Sequence, residues 1–256
     1  MLYLIGVGLS KEDITLHAID ACKKCDYVFF ERYTSFISDE KVSQLAKVIG
    51  KEPKELTRSE LEGKAAKVMA RAKSGNIAII TGGDPLIATT HKILFIEAKS
   101  QNIQTKIVHS SSILTAAIGE SGLDFYRFGA VCTIPTWHEH YSPVSFYETI
   151  ERNYSNNLHS LLLFDYDPMA HSSLDVEEAI RVLGEGEKHY KNGIIKNETK
   201  VFVIHKLGLE QQKIVFTTIE KAKKLRLSAG PALMILPASL TDIEKDIISS
   251  MHNVDV

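Results

Sequence analysis

Four glycine- or serine-rich turns follow short apolar runs, and such turns either leave room for a ligand or bind one through backbone groups. The turns are Gly6–Ser10, Thr81–His91, His109–Leu114 and Phe164–Pro168. In open α/β sheets, ligands bind at the carboxyl ends of the strands, where turns of this kind gather. The sequence therefore predicts a binding site assembled from several strand ends.

Gly6 and Gly8 begin the pattern of a dinucleotide-binding loop but do not complete it. The third glycine of GxGxxG would fall at position 11, which is Lys11. Two interpretations stay open at this point. Either the glycines make a tight turn between a strand and a helix, or their missing side chains let a ligand touch the backbone.

The stretch TGGDPLIATTH, residues 81–91, is richer in unusual residues than a simple turn requires. Gly82 and Gly83 permit a positive φ or a close backbone approach, and Pro85 suits the first turn of a helix capped by Asp84. Capping alone does not explain two glycines and two threonines at one strand end. We therefore favour a binding role, with the acid meeting a polar part of the ligand.

The serines at positions 110–112 precede an apolar stretch, Ile113–Ile118, and predict the N-terminus of a helix. The alternative is that backbone N–H groups and a hydroxyl at this point hold a polar ligand group. The sequence does not separate the two interpretations.

Metal and nucleophile motifs are weak. Cys22 and Cys25 form a single CxxC without a second pair, and His138 and His140 lack HExxH spacing, so neither pair favours a metal site. The sequence has no GxSxG elbow and no GxxxxGK[ST] loop, which disfavours two large classes of hydrolases and NTPases.

Short apolar, β-branched or aromatic runs predict nine strands. They are Leu2–Val7, Tyr27–Phe30, Asn76–Thr81, Lys106–His109, Ala130–Ile134, Ser160–Asp165, Lys200–His205, Lys213–Thr217 and Ala232–Pro237. Amphipathic stretches such as Ile14–Cys22 and Leu61–Ala72 lie between the early runs. This alternation predicts a mostly parallel α/β sheet in the first half, and the spacing of the late runs permits an antiparallel hairpin.

The segment Gly122–Gly129 interrupts the pattern of strands and helices. We place a domain boundary near residue 127, which gives an N-terminal α/β domain of residues 1–127 and a C-terminal α/β domain of residues 128–256. The charged, glycine-bearing segment Gly184–Asn197 is interpreted as a solvated loop or helix end.

The composition is that of an ordinary globular protein, with 256 residues, 44% of them apolar, and a formal net charge of −2. This charge gives no reason to expect nucleic acid or a membrane as a partner. Three cysteines fit a reducing compartment, and the first residues lack the positive region of a secretory signal. We expect a cytoplasmic protein.

The motifs together resemble the diphthine synthases, a family within the tetrapyrrole-methylase superfamily of S-adenosylmethionine-dependent methyltransferases. The resemblance rests on LYLIGVGLSKEDIT at the start, CDYVFFERYTS at 25–35, TGGDPLIATTH, and HSSSILTAAIGESGLDFYRFG at 109–129. It covers the first two-thirds of the chain strongly and the last third loosely. GGDP alone indicates the superfamily, whereas its combination with ESGLDFYRFG is more specific.

The resemblance implies a two-domain tetrapyrrole-methylase-like α/β fold, with a mostly parallel N-terminal sheet and a mixed C-terminal sheet. It also implies that the cofactor lies in a cleft between the domains and that the protein is a homodimer. By similarity, the N-terminal domain would contact S-adenosylmethionine through Leu9, Asp84, Ile87, Ser112 and Ile113. The C-terminal domain would complete the site with Leu163, Leu207 and Ala232.

The activity implied by the resemblance is successive methylation of the amino nitrogen of a 3-amino-3-carboxypropyl-histidine on translation elongation factor 2. The product is diphthine, an intermediate of diphthamide biosynthesis, and the cofactor is converted to S-adenosylhomocysteine. Because the sulfonium leaves as a neutral thioether, we expect catalysis by alignment, with no catalytic side chain and no metal. Aromatic faces favour quaternary ammonium groups, so Phe125, Tyr126 and Trp137 are candidate walls for the product cation.

Two alternatives stay open. The first is another methyltransferase of the same superfamily, acting on a tetrapyrrole or on ribosomal RNA. The second is a non-catalytic nucleotide-binding module, whose ribose-binding acid would be expected about 20 residues after the glycines. Asp26 or Glu31 would then have to take that role, and nothing else in the sequence supports it.

Overall fold

The computed structural model describes residues 1–63, 65–167, 169, 172–252 and 254, so Pro168 of the fourth predicted turn lies outside the described residues. The chain divides into two compact units, Met1–Ile113 and Leu114–Val256. This division precedes the boundary that the sequence predicts near residue 127. The reason is that the intervening segment bonds within the second unit, where the His159 N–H donates to the Arg127 carbonyl at 2.7 Å.

The first unit is built on a parallel five-stranded sheet. Its strands are β1 Leu2–Gly6, β2 Tyr27–Phe30, β3 Lys54–Glu55, β4 Ile77–Thr81 and β5 Thr105–Val108. They lie in the order β3-β2-β4-β1-β5, and every pairing between them is parallel. The predicted parallel sheet is confirmed, and the predicted runs of β1, β2, β4 and β5 match the observed strands to within a residue or so.

Helices cover both faces of this sheet, which is why its strands are continuously apolar. The helices are α1 Leu16–Lys23, α2 Asp39–Ile49, α3 Ala65–Ser74 and α4 Lys92–Ser100, followed by α5 Ile113–Ser121 at the division between the units. Alternate residues of β1 enter different cores: Ile5 packs in the cluster with α1 and α2, whereas Leu4 packs in the cluster with α3 and α4.

Local capping explains where the first two helices begin and end. The Thr15 hydroxyl accepts from the Ala18 N–H at the start of α1, and the Ser38 hydroxyl accepts from the Lys41 N–H at the start of α2. Helix α2 ends at Gly50, whose φ of 70° is the left-handed conformation that glycine adopts without a Cβ clash.

The second unit contains a mixed five-stranded sheet and a small two-stranded one. Its strands are β6 Cys132–Ile134, β7 Ser160–Phe164, β8 Tyr166–Asp167, β9 Ser172–Ser173, β10 Lys200–His205, β11 Lys213–Thr218 and β12 Ala232–Leu236. The large sheet has the order β11-β10-β12-β7-β6, with β6 and β7 parallel and the other neighbours antiparallel. The mixed sheet and the β10–β11 hairpin agree with the sequence-based expectations.

The helices of the second unit are α6 Phe146–Ser155, α7 Val176–Tyr190, α8 Ile219–Ala222 and α9 Asp242–His252. Helix α7 runs through the first part of the segment Gly184–Asn197 and ends at Tyr190, so the segment contains a helix end, one of the two interpretations given above. Gly186 explains why the helix continues: it is buried against the ring of Tyr147, and a Cβ at this position would approach Tyr147 Cδ2 to 2.6 Å. Within the described residues, no helix has both the length and the apolar character needed to span a membrane.

Candidate functional site

The carboxyl ends of the parallel strands place four loops of the first unit at one edge of its sheet. The register sets Gly6 beside Thr81, Ile5 beside Val108, and Phe30 beside Ile80. The loops that follow these strands are therefore neighbours, although they are far apart in sequence. This is the edge at which open α/β sheets bind ligands.

The first two of these loops are joined through their glycines. The Gly8 N–H donates to the Gly83 carbonyl at 3.1 Å, and the Gly83 N–H donates to the Gly8 carbonyl at 2.8 Å. The exchange forms an antiparallel bridge beyond the ends of β1 and β4. The two glycine-rich turns thus act as a single backbone unit.

The glycines of this edge do not share one role, which corrects the idea that all of them clear space for a ligand. A Cβ on Gly6 would lie 2.5 Å from the Gly83 carbonyl oxygen, a Cβ on Gly8 would overlap the Asp13 side chain, and a Cβ on Gly82 would overlap the Phe36 carbonyl. These three glycines are required because the chain packs against itself.

Gly83 is different. Its φ is 71°, and the nearest atoms to a Cβ built on it are Leu9 Cδ2 and the Ser111 carbonyl oxygen, both at 3.8 Å. A side chain here would meet ordinary contact distances rather than a clash. Gly83 is therefore the glycine of this edge whose missing side chain leaves space beside Leu9.

Asp13 links the first loop to the loop after β5. Its Oδ2 accepts from the Leu9 N–H at 2.8 Å, the Ser10 N–H at 3.0 Å and the Ser111 hydroxyl at 2.8 Å. Burial opposes ionisation of Asp13, but the bonds from Ser10, Ser111 and Leu9 outweigh it and hold its pKa below the ordinary value. An ionised Asp13 therefore fixes the backbone of Leu9.

Asp84 has a structural role that its sequence context did not predict. Its Oδ1 accepts from the Leu86 N–H at 3.0 Å, while its Oδ2 contacts His109 Nδ1 at 2.7 Å and the Ser110 N–H at 3.3 Å. The expected helix from Pro85 is wrong, because residues 85–91 form turns and α4 begins at Lys92. Asp84 joins the second loop to the loop after β5.

Lys41 reaches the same edge from α2 and is almost completely buried. Its Nζ donates to the Gly8 carbonyl at 2.6 Å. Burial lowers the pKa of Lys41 to about 8, against a smaller opposing effect of Asp13 and Glu12. The lysine thus holds the glycine bridge from the side of the sheet that α2 covers.

The predicted cofactor residues of the first unit all lie on these loops. Leu9 follows β1, Asp84 and Ile87 follow β4, Ser112 lies between β5 and α5, and Ile113 is the first residue of α5. Asp84 and Ser112 are buried, whereas Leu9 and Ile113 are half-buried and Ile87 is 38% exposed. The partly exposed apolar side chains are the ones available for contact with a ligand.

The predicted residues of the second unit also gather at one edge of their own sheet. The register pairs Leu163 of β7 with Leu233 of β12, and Ala232 with His205 at the end of β10. Leu207 follows β10 and is buried. The carboxyl ends of β7 and β10 therefore lie beside the amino end of β12.

The DFYR part of ESGLDFYRFG is fastened by a buried acid, Glu244 of α9. Glu244 accepts from the Asp124 N–H at 3.1 Å and forms an ion pair with Arg127. The oxygen that accepts from Asp124, Oε1, also contacts His159 Nε2 at 2.8 Å. Despite burial, the bonds from Thr241, His159 and Asp124 lower the pKa of Glu244 to about 2. Arg127 is therefore a structural residue.

The three candidate aromatic walls have different surroundings. Phe125 and Tyr126 are 61% and 88% exposed and meet edge to face, with 5.6 Å between ring centroids. Trp137 packs against the core of the second unit, donates its indole N–H to the Pro143 carbonyl, and carries the Arg181 guanidinium 4.9 Å from its ring centroid. Of these three side chains, only Phe125 and Tyr126 are mostly exposed to solvent.

The CxxC pair has the character of core side chains. Burial raises the pKa of the Cys22 thiol to about 12 and that of the Cys25 thiol to about 11. Both thiols are therefore protonated at neutral pH and pack in the core between the sheet and helices α1 and α2. In the part of the chain that the structure describes, no cluster of three metal-ligating side chains occurs.

Comparison with known proteins identifies the class of this fold and site. The model of the family "Tetrapyrrole (Corrin/Porphyrin) Methylases" matches residues 1–223, so the chain belongs to this family of methyltransferases and uses a methyl donor.

Its full-length relatives include diphthine synthases. Those of Methanothermobacter thermautotrophicus and Methanocaldococcus jannaschii are 34% and 33% identical, over 97% of this chain and 94% and 97% of the relatives. A crystal structure of a diphthine synthase shares 28% identity and a TM-score of 0.84, covering 97% of this chain and 95% of that one. An Arabidopsis thaliana protein described as a probable diphthine methyl ester synthase is 32% identical over 97% of each chain.

Sequence reasoning missed four residues that organise the edge of the first unit, namely Asp13, Glu31, Lys41 and His91. Three of them stand inside the motifs that carry the family resemblance, but the motifs gave no role to these side chains. Lys41 stands outside them, on an ordinary amphipathic helix, and reaches Gly8 across 33 positions of the chain. No local signal could have revealed that contact.

Proposed function

We propose that this chain is an S-adenosylmethionine-dependent methyltransferase of diphthamide biosynthesis. Its substrate would be the 3-amino-3-carboxypropyl-histidine of translation elongation factor 2, and its product diphthine. The observation that carries this proposal is the match of the whole chain to diphthine synthases of two archaea, over at least 94% of each relative. Elongation factor 2 is accordingly the proposed protein partner, and S-adenosylhomocysteine the second product.

The loops of the first unit fit the methyl donor. Gly83 leaves space where a side chain would otherwise stand, beside the half-buried Leu9. Ile87 and Ile113 supply further partly exposed apolar surface on the same set of loops. Asp84 would act indirectly, since its oxygens already bind His109 and the backbone of Leu86 and Ser110. Roles for Leu163, Leu207 and Ala232 stay predictions.

The proposed chemistry is an in-line displacement, in which the neutral amine attacks the sulfonium methyl and the thioether leaves uncharged. Before each attack the substrate ammonium loses a proton to water, and the carbon–sulfur bond then breaks as the carbon–nitrogen bond forms. Because no charge needs to be created on the leaving group, the protein would contribute mainly alignment, which can lower a barrier by roughly 7–11 kcal/mol. Rigid loops, such as the bonded pair Gly8 and Gly83, suit that task.

A homodimer and a cytoplasmic location complete the proposal, and both rest on the family resemblance and on the proposed substrate. Methylation of a tetrapyrrole or of ribosomal RNA is less well supported, because the archaeal relatives compared above are diphthine synthases.

A second candidate product is the methyl ester of the substrate carboxylate. The description of the Arabidopsis relative as a diphthine methyl ester synthase favours including it.

Mass spectrometry tests the proposal directly. Elongation factor 2 carrying the 3-amino-3-carboxypropyl group is incubated with the protein and S-adenosylmethionine, and the modified peptide is analysed. We expect methyl groups on the amino nitrogen, retained after mild base, whereas an ester methyl would be released. Unmodified elongation factor 2 and a tetrapyrrole serve as controls. Methylation of the tetrapyrrole without methylation of the factor would overturn the proposal.

A further inference from the structure

A buried histidine and a buried glutamate face each other below the loops of the first unit, and the reaction chemistry described above uses neither. His91, at the end of TGGDPLIATTH, is 1% exposed, and Glu31, directly after β2, is 0% exposed. His91 Nε2 lies 3.6 Å from Glu31 Oε1. The pair therefore connects the loops that follow the adjacent strands β2 and β4.

Glu31 organises its own turn through both carboxylate oxygens. Its Oε2 accepts from the N–H groups of Tyr33 and Thr34, each at 2.9 Å, and its Oε1 accepts from the Thr34 hydroxyl at 2.6 Å. Accepting several N–H and O–H bonds is the role of an ionised carboxylate. The turn that Glu31 holds includes Phe36, whose carbonyl packs against Gly82.

The contacts of His91 determine which of its nitrogens carries a proton. Nδ1 lies 3.1 Å from the Pro85 carbonyl oxygen, which can only accept, so Nδ1 is the donor there. It also lies 3.2 Å from the Thr81 hydroxyl. His91 Nε2 faces Glu31 Oε1 at 3.6 Å and has no hydrogen-bond partner among the described residues.

We propose that His91 and Glu31 are a positioning pair for the methyl donor. His91 holds the Pro85 carbonyl and thereby the loop that begins with Gly82 and Gly83, and Glu31 fixes the ring. This inference rests on the proposed function, because the loop is positioned for the donor. The pair does not touch the donor itself.

The loop needs such a constraint because part of it has an unfavourable backbone conformation. Ala88 has a φ of 55°, which residues other than glycine rarely adopt. The Pro85 carbonyl accepts from both the Thr89 hydroxyl, at 2.7 Å, and His91. Strained positions persist where surrounding contacts over-determine them. Loss of the His91 contact would therefore release the loop that carries Gly83.

The positioning role is tested by binding of S-adenosylhomocysteine to the whole protein. His91→Asn keeps a donor for the Pro85 carbonyl but cannot reach Glu31, whereas His91→Gln extends toward Glu31 but lacks the ring. We expect about a tenfold loss of affinity in each and in Glu31→Gln. The double variant His91→Asn with Glu31→Gln should lose no more than either single one, because the residues act as a unit.

Ala72→Gly is the matched control, since Ala72 lies near the amino end of β1, where its carbonyl accepts from the Met1 ammonium. It lowers the melting temperature without touching the loops, so its affinity should equal that of the parent. Equal affinity in His91→Asn and in this control would overturn the positioning role. Failure of the parent protein to bind the probe at all would instead count against the proposed function.

Discussion

Gly8 and Gly83 exchange a pair of backbone hydrogen bonds, although they lie 75 positions apart in the sequence. The bridge joins the loops after β1 and β4, and Lys41 supports it through the Gly8 carbonyl. Bridged glycines explain why two glycine-rich turns occur at matching positions of adjacent strands. The glycines of this edge have two roles: Gly6, Gly8 and Gly82 are required by close packing of the chain, whereas Gly83 leaves open space.

Gly83→Ala and Gly82→Ala distinguish these two roles. Gly83→Ala adds a methyl group in open space at a positive φ, so we expect a loss of about 1 kcal/mol in the free energy of unfolding. Gly82→Ala forces a Cβ into the Phe36 carbonyl, so we expect roughly 2–3 kcal/mol. The melting temperatures should fall by about 2–4 °C and about twice that, respectively.

Binding of S-adenosylmethionine completes this comparison. Gly83→Ala should weaken it about tenfold or more, as measured by calorimetry, because the methyl group occupies the space beside Leu9. Val in place of Ala should abolish binding but would also strain the backbone, since a β-branched residue tolerates this φ poorly. Unchanged affinity in a folded Gly83→Ala protein would show that the donor binds elsewhere.

The strands could be predicted from sequence because they are continuously apolar. Tyr27–Phe30 and Lys200–His205 have the same bounds in the structure as in the sequence-based prediction. Helix ends were harder to predict where tertiary contacts override local signals. Pro85 does not start a helix, because its carbonyl accepts from Thr89 and His91.

The candidate site could be predicted in outline but not in its contacts. Sequence placed the glycine and serine turns at strand ends, and parallel pairing brings those ends together. It could not show that Asp84 binds His109, or that Asp13 binds Ser111 across 98 positions, because such pairs form only when loops meet in the folded chain. A contact of Asp84 with the cofactor stays a prediction.

Lys41→Met should stabilise the protein at pH 7 and destabilise it at pH 10. The pKa of Lys41 is about 8 in the folded chain, against 10.5 for a free lysine side chain. Below pH 8 both states carry the proton, and burying it costs on the order of 3 kcal/mol. As pH rises from 8 toward 10.5, only the unfolded state keeps the proton, so this cost disappears.

Methionine removes the charge but leaves the Gly8 carbonyl without its donor, which costs about 1–3 kcal/mol. Urea unfolding at the two pH values should therefore show a reversal of sign. Lys47→Met, at an exposed position of the same helix, should show none. A variant that is less stable than the parent at pH 7 would contradict the lowered pKa.

Glu244→Gln should make the stability of the second unit less sensitive to acid. The pKa of Glu244 is about 2 when folded, against 4.5 for a free glutamate, so its stabilisation is complete above pH 4.5 and is lost as pH falls toward 2. The difference corresponds to a free energy of unfolding on the order of 3 kcal/mol. We therefore expect the variant to have a lower free energy of unfolding than the parent at pH 4.5 and a smaller decrease in it between pH 4.5 and pH 2. Acid unfolding followed by circular dichroism measures both.

Glu198→Gln provides the control for that titration, since Glu198 is an exposed side chain of the same unit. Its acid unfolding curve should coincide with that of the parent. Equal slopes for the parent and Glu244→Gln between pH 4.5 and 2 would mean that the contacts of Asp124, Arg127 and His159 do not hold the carboxylate ionised.

Phe125→Ala and Tyr126→Ala should leave stability nearly unchanged and alter the methylation of elongation factor 2. Both rings are mostly exposed, so their removal should change the free energy of unfolding by no more than about 0.5 kcal/mol. The backbone beneath them is fixed by Glu244, which bonds to the Asp124 N–H and to Arg127, so the rings are presented on a rigid turn. If these faces attract the growing ammonium group, the variants should accumulate products with fewer methyl groups.

Mass spectra at matched turnover measure this distribution of methylated products, with Tyr154→Ala as the control, since Tyr154 is another exposed tyrosine. The same product distribution in all four proteins would exclude a role for the two rings in binding the cation.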